Sequence, residues 1–240
     1  MESLLKAAYQ PYKWFFVLPF MVLSTVFHSL LCMLIGLFLG KGSGNIAAVS
    51  WSKLACLVGP VRVRFYGREN YDRKSAYVVV ANHQSMVDIP VLHGWLGLKI
   101  KWVMKKELKR IPVFGHGCES LGCIYVDRFD REAAIQAMKD ADSYLDDTAS
   151  VIFFPEGTRS RDGKLLPFKK GAFRYALHSG LPILPVTIKN TGKILPCDSL
   201  DLFPGVAEVV IHPPVDIKTY TIQDMDRLIQ DVRQIIGSAL

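Results

Sequence analysis

The stretch VVVANHQSMVDIPVL, residues 78–92, indicates both the fold and the functional centre of this chain. Its first four residues are apolar, as in a buried strand, and the polar residues Asn82 and His83 follow directly. Open α/β sheets place their sites at the carboxyl ends of strands. Asp88 can reach His83 if His83 lies in the turn that enters a helix and Asp88 lies on the first helical turn.

A carboxylate beside an imidazole makes a general base. Asp88 would accept a hydrogen bond from one ring nitrogen of His83, fix the tautomer and raise the basicity of the other nitrogen. Asn82 can tie the turn through its amide. Ser85 is better placed to cap the helix than to act as a nucleophile, so the base must act on a hydroxyl of the substrate. Taken alone, the pattern also fits a turn histidine beside an unrelated carboxylate.

A second polar segment follows another apolar strand, in SVIFFPEGTRSRDGK, residues 150–164. Gly157 permits a tight turn, and Arg159 suits bidentate binding of a phosphate. Thr158 and the backbone N–H groups of the turn can add to an anion site. Glu156 can orient Arg159 or hold a substrate hydroxyl. The alternative is a surface turn whose charges are solvated.

The rest of the chain after about residue 60 alternates short apolar runs with helical patterns. The predicted strands are Val61–Tyr66, Tyr77–Ala81, Ile100–Met104, Cys123–Val126, Ser150–Phe154, Ile183–Ile188 and Ala207–His212. The predicted helices are Met86–Leu96, Asp130–Leu145, Gly171–Ser179 and Thr221–Ser238, with N-caps at Asp130 and Thr221. This order predicts an α/β domain over residues 59–240, with a mostly parallel sheet flanked by helices.

Residues 1–58 are predicted to form a separate membrane-anchoring helical segment. From Trp14 to Gly40 the chain has no Asp, Glu, Lys or Arg, and a helix of that length, about 40 Å, exceeds the roughly 30 Å of a hydrocarbon core. Two arrangements fit: a tilted single span, or a bent two-helix anchor that continues through residues 46–58 and dips into one leaflet. A buried core helix is the remaining alternative.

The overall composition restricts the partners. The net charge of +7 and the pI of about 9.1 favour an anionic partner. No aromatic and basic stacking surface or recognition helix is apparent, so we expect no nucleic acid. The five cysteines are an odd number without a CxxC pair, which predicts reduced thiols and a cytosol-facing body. The six histidines lack metal-ligand spacing, so we expect no metal.

Four segments in order give the chain a resemblance to a known family. NHQSMVD and FPEGTRS resemble the first and third motifs of the glycerolipid acyltransferases, specifically the 1-acyl-glycerol-3-phosphate acyltransferases. GCIYVDR, residues 122–128, and LPVTI, residues 184–188, resemble the second and fourth motifs. The resemblance covers roughly residues 60–215. It implies the glycerol-3-phosphate acyltransferase-like fold, with membrane-associated helices before it.

The resemblance also implies a reaction in phospholipid biosynthesis, in which a thioester acylates the sn-2 hydroxyl of lysophosphatidic acid to give phosphatidic acid. The acyl donor would be acyl-CoA or acyl carrier protein, with no cofactor. The implied catalytic residues are His83 and Asp88. The implied substrate-binding residues are Asn82, Lys105, Arg128, Glu156, Gly157, Thr158 and Arg159. Alternatives are another lysolipid or polar-lipid acceptor, or a non-catalytic lipid-binding membrane protein.

The run KIKWVMKKELKR, residues 99–110, holds six basic residues. Lys105 or Lys106 can reach the substrate phosphate, and the others can dock on anionic lipid or on an acidic carrier protein, or form a solvated face. We expect the protein to associate with the inner or cytoplasmic membrane, with its catalytic domain facing the cytoplasm.

Overall fold

The computed structural model describes residues 9–127, 129–142 and 147–240. Its strands are β1 (Val61–Tyr66), β2 (Val78–Ala81), β3 (Lys99–Lys105), β4 (Ile124–Val126), β5 (Ala149–Phe153), β6 (Ile183–Lys189) and β7 (Gly205–Ile211). Its α-helices are α1 (Leu18–Leu39), α2 (Asn45–Val58), α3 (Asp88–Trp95), α4 (Phe114–Ser120), α5 (Arg131–Asp142), α6 (Gly171–Ser179), α7 (Thr191–Ile194) and α8 (Met225–Gly237). Wider π-type turns over Lys13–Val17 lead into α1.

The seven strands form one sheet in the order β1-β7-β6-β2-β5-β3-β4. The five strands from β6 to β4 are mutually parallel, whereas β7 is antiparallel to β6 and carries β1 parallel to itself. The prediction of a mostly parallel sheet flanked by helices is confirmed. The central strands are buried on both sides, which explains their unbroken apolar sequences.

Helices cover the two faces of the sheet unequally. On one face α3 and α2 pack over the sheet, and α1 and α4 pack beside them. On the other face α6 and α8 form the second half of the core. Helix α8 shows the expected pattern, with Met225, Leu228, Val232 and Ile236 buried at spacings of three and four residues. Val103 and Phe153, on this second face, are only half-buried.

The predicted element bounds mostly agree with the structure to within two residues. Asp130 caps α5 by accepting a hydrogen bond from Ala133 N at 3.0 Å. Thr221 and Asp224 form the expected capping box, although it caps a short 3₁₀ turn that precedes α8. The last residues of the predicted helix Asp130–Leu145 lie outside the described residues. Helices α4 and α7 were not predicted.

The apolar N-terminus forms a helical hairpin that packs on the domain. The helix over Tyr9–Leu39 is long and apolar enough to cross a membrane by length and composition. Helix α1 contacts α4 so closely that a Cβ at Gly117 would lie 2.6 Å from Ser29 Cβ. Helix α2 returns antiparallel and packs on α3. The boundary predicted at residue 58 stays a prediction.

Candidate active site

His83 and Asp88 meet at the carboxyl end of β2. His83 lies in the turn after the strand, and Asp88 is the first residue of α3, as the sequence predicts. His83 Nδ1 lies 2.7 Å from Asp88 Oδ2. Because the buried carboxylate accepts a hydrogen bond from Nδ1–H, the neutral ring keeps Nε2 unprotonated and able to accept a proton.

The Asp88 carboxylate is fully buried and holds the turn together. Its Oδ2 atom also accepts hydrogen bonds from Gln84 N at 2.7 Å and Ser85 N at 2.9 Å. These charge-assisted bonds fix the position of the carboxylate relative to the imidazole. The Ser85 hydroxyl donates to Leu195 O at 2.7 Å and accepts from Val87 N. Ser85 is therefore not the N-cap of α3, because the helix begins three residues later, but its hydroxyl is engaged in holding the turn.

An aromatic ring supports the imidazole from one side. The rings of His83 and Phe154 stack with centroids 3.8 Å apart and an angle of 6° between the planes. Phe154 follows β5, so two adjacent parallel strands end at the same point of the sheet. The stack restricts rotation of the imidazole and leaves its edge open to substrate.

Glu156 connects the two polar segments. It is buried, and its Oε1 accepts a hydrogen bond from His83 N at 2.9 Å while Oε2 accepts one from Leu166 N at 3.0 Å. Burial raises the pKa of Glu156, and the two N–H donors oppose that shift only in part. Ser160 N also donates to His83 O at 2.8 Å. The backbone of His83 is therefore held on both sides by the second segment.

Asn82 also acts on the backbone. Its side chain donates to Ile188 O at 2.9 Å and accepts from Ile188 N at 2.7 Å, which joins the end of β2 to β6. Asn82 is buried. Asn82 was expected among the substrate-binding residues, and in the structure its amide oxygen and one of its N–H groups bind this backbone. In the structure, Asn82 holds the carboxyl end of β2 against β6.

Arg159 pairs with an aspartate that the sequence analysis did not identify. Its Nη2 lies 3.2 Å from Asp198 Oδ1, and Arg161 Nη2 lies 2.8 Å from the other oxygen of the same carboxylate. The interpretation that Glu156 orients Arg159 is not supported, because both oxygens of Glu156 are bound to backbone N–H groups. Asp198 holds both guanidinium groups near the turn. Nothing in the local sequence around Asp198 marks it as their partner.

Two cavities meet at His83. The first, of about 600 Å³, lies between the hairpin and the domain and is lined mainly by apolar side chains of α1, α2, α3 and β3. The second, of about 1090 Å³, lies on the other face of the sheet and contains Gly157, Thr158 and Arg159. His83 and Phe154 line both cavities. The imidazole can therefore act on a molecule whose parts occupy both faces.

Lys169 is a cation of the second cavity that the sequence analysis missed. Gly157 has a positive φ of 71°, and a Cβ added there would lie 2.6 Å from Lys169 Nζ. The ammonium thus lies directly over the turn that carries Thr158 and Arg159. The signal in the sequence is FKKG, residues 168–171, in which a basic pair stands immediately before α6.

The basic run of residues 99–110 does not act as one surface. Lys101 is buried and donates to Gly42 O at 3.1 Å and Leu121 O at 2.8 Å, so the expectation that it docks on a partner is wrong. Lys105 borders the apolar cavity and lies 3.1 Å from Glu107. Lys106 lies 3.9 Å from Asp127. Lys105 is the basic residue of this run that lines a cavity beside His83.

Two further predictions concern the edges of the site. Arg128 lies outside the described residues, although Asp127 lines the second cavity. Within residues 9–127, 129–142 and 147–240, no group of three or more His, Cys, Asp or Glu side chains is arranged to hold a metal ion. All five cysteines are free thiols.

Comparisons with known proteins agree with this geometry. Residues 62–189 match the protein family described as Acyltransferase. A chloroplast 1-acyl-sn-glycerol-3-phosphate acyltransferase of Brassica napus is 42% identical over 139 residues, which cover 58% of this chain and 40% of that protein. The alpha form of the mouse 1-acyl-sn-glycerol-3-phosphate acyltransferase is 30% identical over 92% of this chain and 79% of its own length.

The likeness extends to a solved structure. The crystal structure of the 1-acyl-sn-glycerophosphate acyltransferase PlsC from Thermotoga maritima superposes with a TM-score of 0.80 at 28% sequence identity. The match covers 100% of this chain and 96% of that one. For the Brassica napus protein and three other curated relatives, this chain spans about half of the relative's length, from 40% to 58%.

Proposed function

Because the chain belongs to the acyltransferase family, we propose that it moves a fatty acyl chain from a thioester to the sn-2 hydroxyl of lysophosphatidic acid. The product is phosphatidic acid, and the step serves phospholipid biosynthesis. One observation carries the proposal: the His83–Asp88 pair, 2.7 Å apart, lies where an apolar cavity meets a cationic one. The names of the relatives support the same substrate class.

His83 is the general base. Its Nε2 takes the proton of the sn-2 hydroxyl while that oxygen attacks the thioester carbonyl carbon. Asp88 stabilises the imidazolium that forms. When the tetrahedral intermediate collapses, the C–S bond breaks and the imidazolium returns the proton to the departing sulfur. A thiol of pKa about 8.5 is a good leaving group, so no acyl-enzyme is required.

Arg159 binds the phosphate of the acceptor, together with Lys169. Both cations lie beside the turn of Gly157 and Thr158, in the cavity that His83 lines. The Arg159–Asp198 contact is solvent-accessible and long enough, at 3.2 Å, to exchange for a phosphate. Lys105 and Arg128 are the further candidates for this phosphate.

The apolar cavity receives an acyl chain. It is walled on one side by α1 and α2 and on the other by the domain, so a chain can enter from a bilayer that surrounds the hairpin. Exposed apolar residues cover the outer surface of the hairpin; they include Phe15, Phe16, Phe27, Leu30, Leu34, Leu37 and Phe38. These groups would lie in lipid.

The hairpin acts as a two-helix anchor in one leaflet. One flank of α1 packs against α4, and Lys101 ties the loop between the two helices to the domain. A helix that packs on the domain along one flank is unsuited to crossing the bilayer alone. The free thiols fit a catalytic domain at the cytoplasmic face of the membrane.

The test is an acyl-transfer assay on membranes that contain the overproduced protein. Lysophosphatidic acid and labelled acyl-CoA or acyl carrier protein are added, and phosphatidic acid is measured by mass spectrometry. We expect product with the wild type and none above background with His83→Ala. Monoacylglycerol without a phosphate is the matched acceptor control, and equal turnover of the two acceptors would contradict the phosphate site.

A further inference from the structure

The second cavity is much larger than a single phosphate requires. It extends from His83 into a gap between α5 and α6, whose floor includes Val103, Val126 and Phe153 of the sheet. Its volume of about 1090 Å³ lies just above the range of about 300–1,000 Å³ that is usual for small-molecule and cofactor pockets. The acceptor phosphate, held beside Gly157, fills only one end.

Cationic groups surround the outer part of this gap. Lys139 of α5 and Arg174 of α6 line it from opposite sides, and neither has an ion-pair partner among the side chains of residues 9–127, 129–130, 132–141 and 147–240. Lys170, one helical turn before Arg174, pairs with Asp226 at 2.6 Å, with both side chains exposed. The floor between these cations is apolar. The gap therefore suits a ligand that carries more than one negative charge on a partly apolar body.

The position of the gap indicates which substrate binds in it. The apolar cavity adjoins the hairpin, whereas the gap lies on the opposite face of the sheet, away from the exposed apolar surface of the hairpin. A water-soluble molecule would thus reach His83 from this side, and a lipid chain from the other. The soluble reactant in the proposed reaction is the leaving-group half of the thioester.

We propose that the gap between α5 and α6 binds the phosphate-bearing nucleotide half of a coenzyme A thioester, with Arg174 and Lys139 as its phosphate ligands. The proposal rests on the function proposed above. The thioester carbonyl lies at His83, the pantetheine arm follows the floor of the gap, and the released thiol leaves by the same route. A folded carrier protein cannot enter the gap and would leave these cations unused.

The kinetic test uses the full-length protein in membranes and the double variant Arg174→Gln/Lys139→Gln. Three donors of equal acyl length are compared: acyl-CoA, acyl-pantetheine without the nucleotide, and acyl carrier protein. We expect the KM for acyl-CoA to rise about tenfold or more, as for loss of charge-assisted contacts. The KM for acyl-pantetheine and for lysophosphatidic acid should stay unchanged. Arg64→Gln, on the far edge of the sheet, is the matched control.

Several outcomes would overturn the nucleotide site. One is an unchanged KM for acyl-CoA in a correctly folded double variant. Another is an equal loss with acyl-CoA and acyl-pantetheine, which would mean general damage. A rise in KM for the carrier-protein donor alone would mean that these cations bind a carrier protein and not the nucleotide.

A binding experiment separates this proposal from the proposed reaction. Free coenzyme A is titrated into the purified, detergent-solubilised His83→Ala protein and into the same protein with Arg174→Gln/Lys139→Gln. Saturable binding that the added substitutions weaken about tenfold supports the site even if lysophosphatidic acid proves not to be the acceptor. Acyl transfer to lysophosphatidic acid without any binding of coenzyme A would refute the site and leave the reaction intact.

Discussion

Replacing Glu156 by Gln removes one of the two carboxylate oxygens that hold the catalytic turn to the loop after β5. Oε1 accepts from His83 N and Oε2 accepts from Leu166 N. A glutamine has a single carbonyl oxygen, so one N–H group keeps its acceptor and the other faces an NH₂ group. The substitution changes neither the size nor the burial of the side chain, and its effect therefore reports on these two bonds.

The magnitude follows from the contacts. A hydrogen bond to a charged group contributes about 1.5–3 kcal/mol, and a buried N–H without an acceptor costs about 1–3 kcal/mol. We expect Glu156→Gln to lower the free energy of unfolding by about 2–4 kcal/mol, since the second bond is weakened but kept. For a domain of this size, each kcal/mol lowers Tm by roughly 2–4 °C.

The catalytic consequence should be larger than the loss of stability suggests. The His83 N–H either loses its acceptor or keeps only an uncharged one, so the imidazole shifts relative to the acceptor hydroxyl. A displacement of about 1 Å can reduce the rate about 100-fold. We expect kcat to fall about 10- to 100-fold with little change in KM for either substrate, because the groups that bind them are untouched.

The assay combines thermal unfolding in detergent with acyl-transfer kinetics at a temperature at which the variant is folded. Glu119→Gln is the matched control, because Glu119 is an exposed glutamate paired with Lys109 at 2.8 Å. That variant should stay close to the wild type in Tm and kcat. A Glu156→Gln protein with wild-type Tm and kcat would refute the view that Glu156 holds the His83 backbone.

Three further predictions concern single side chains. Asp88→Asn should lower kcat about 10- to 100-fold with the protein still folded, because the imidazolium of His83 loses its charged partner; an unchanged kcat would remove Asp88 from the catalytic pair. Arg159→Ala should raise the KM for lysophosphatidic acid about tenfold while the KM for the acyl donor stays constant, and an equal rise in both would contradict the phosphate role. Burial lowers the pKa of His93 to about 4 in the folded protein. Below the ordinary value of about 6.5 the unfolded chain binds a proton that the folded protein does not. The free energy of unfolding therefore falls as the pH drops from about 6.5 to about 4. His93→Phe should remove up to about 3 kcal/mol of that acid sensitivity, as measured by urea unfolding between pH 7 and pH 4, and an identical pH dependence in the two proteins would contradict it.

The site geometry that the sequence predicted best is local along the chain. His83 and Asp88 are five residues apart, and a strand end followed by a helix start is enough to bring them together. The turn of Gly157 and Arg159 is local in the same way. Strand positions were also predictable, because the five parallel strands are rich in apolar residues and β2 is an unbroken apolar run.

The contacts that the sequence did not reveal join distant segments. Asp198 lies in the loop before β7 and contacts Arg159, which is far away along the chain. Its backbone has a positive φ of 60°, and neither apolar periodicity nor a turn motif in the sequence predicts that conformation. The reversal of β7 depends on the path of the same loop. Lys101 resembles its exposed neighbours in sequence, and only the packing of the hairpin loop buries it. Such features follow from tertiary packing and not from periodicity.

The buried ammonium of Lys101 has a practical consequence for handling the protein. It joins Gly42 of the hairpin loop to Leu121 of the domain, and the hairpin supplies more than a third of the residues that line the apolar cavity. Deleting the first 58 residues to obtain a water-soluble fragment would leave that ammonium short of an acceptor and open the apolar cavity to solvent. Purification should therefore keep the full chain in detergent or nanodiscs.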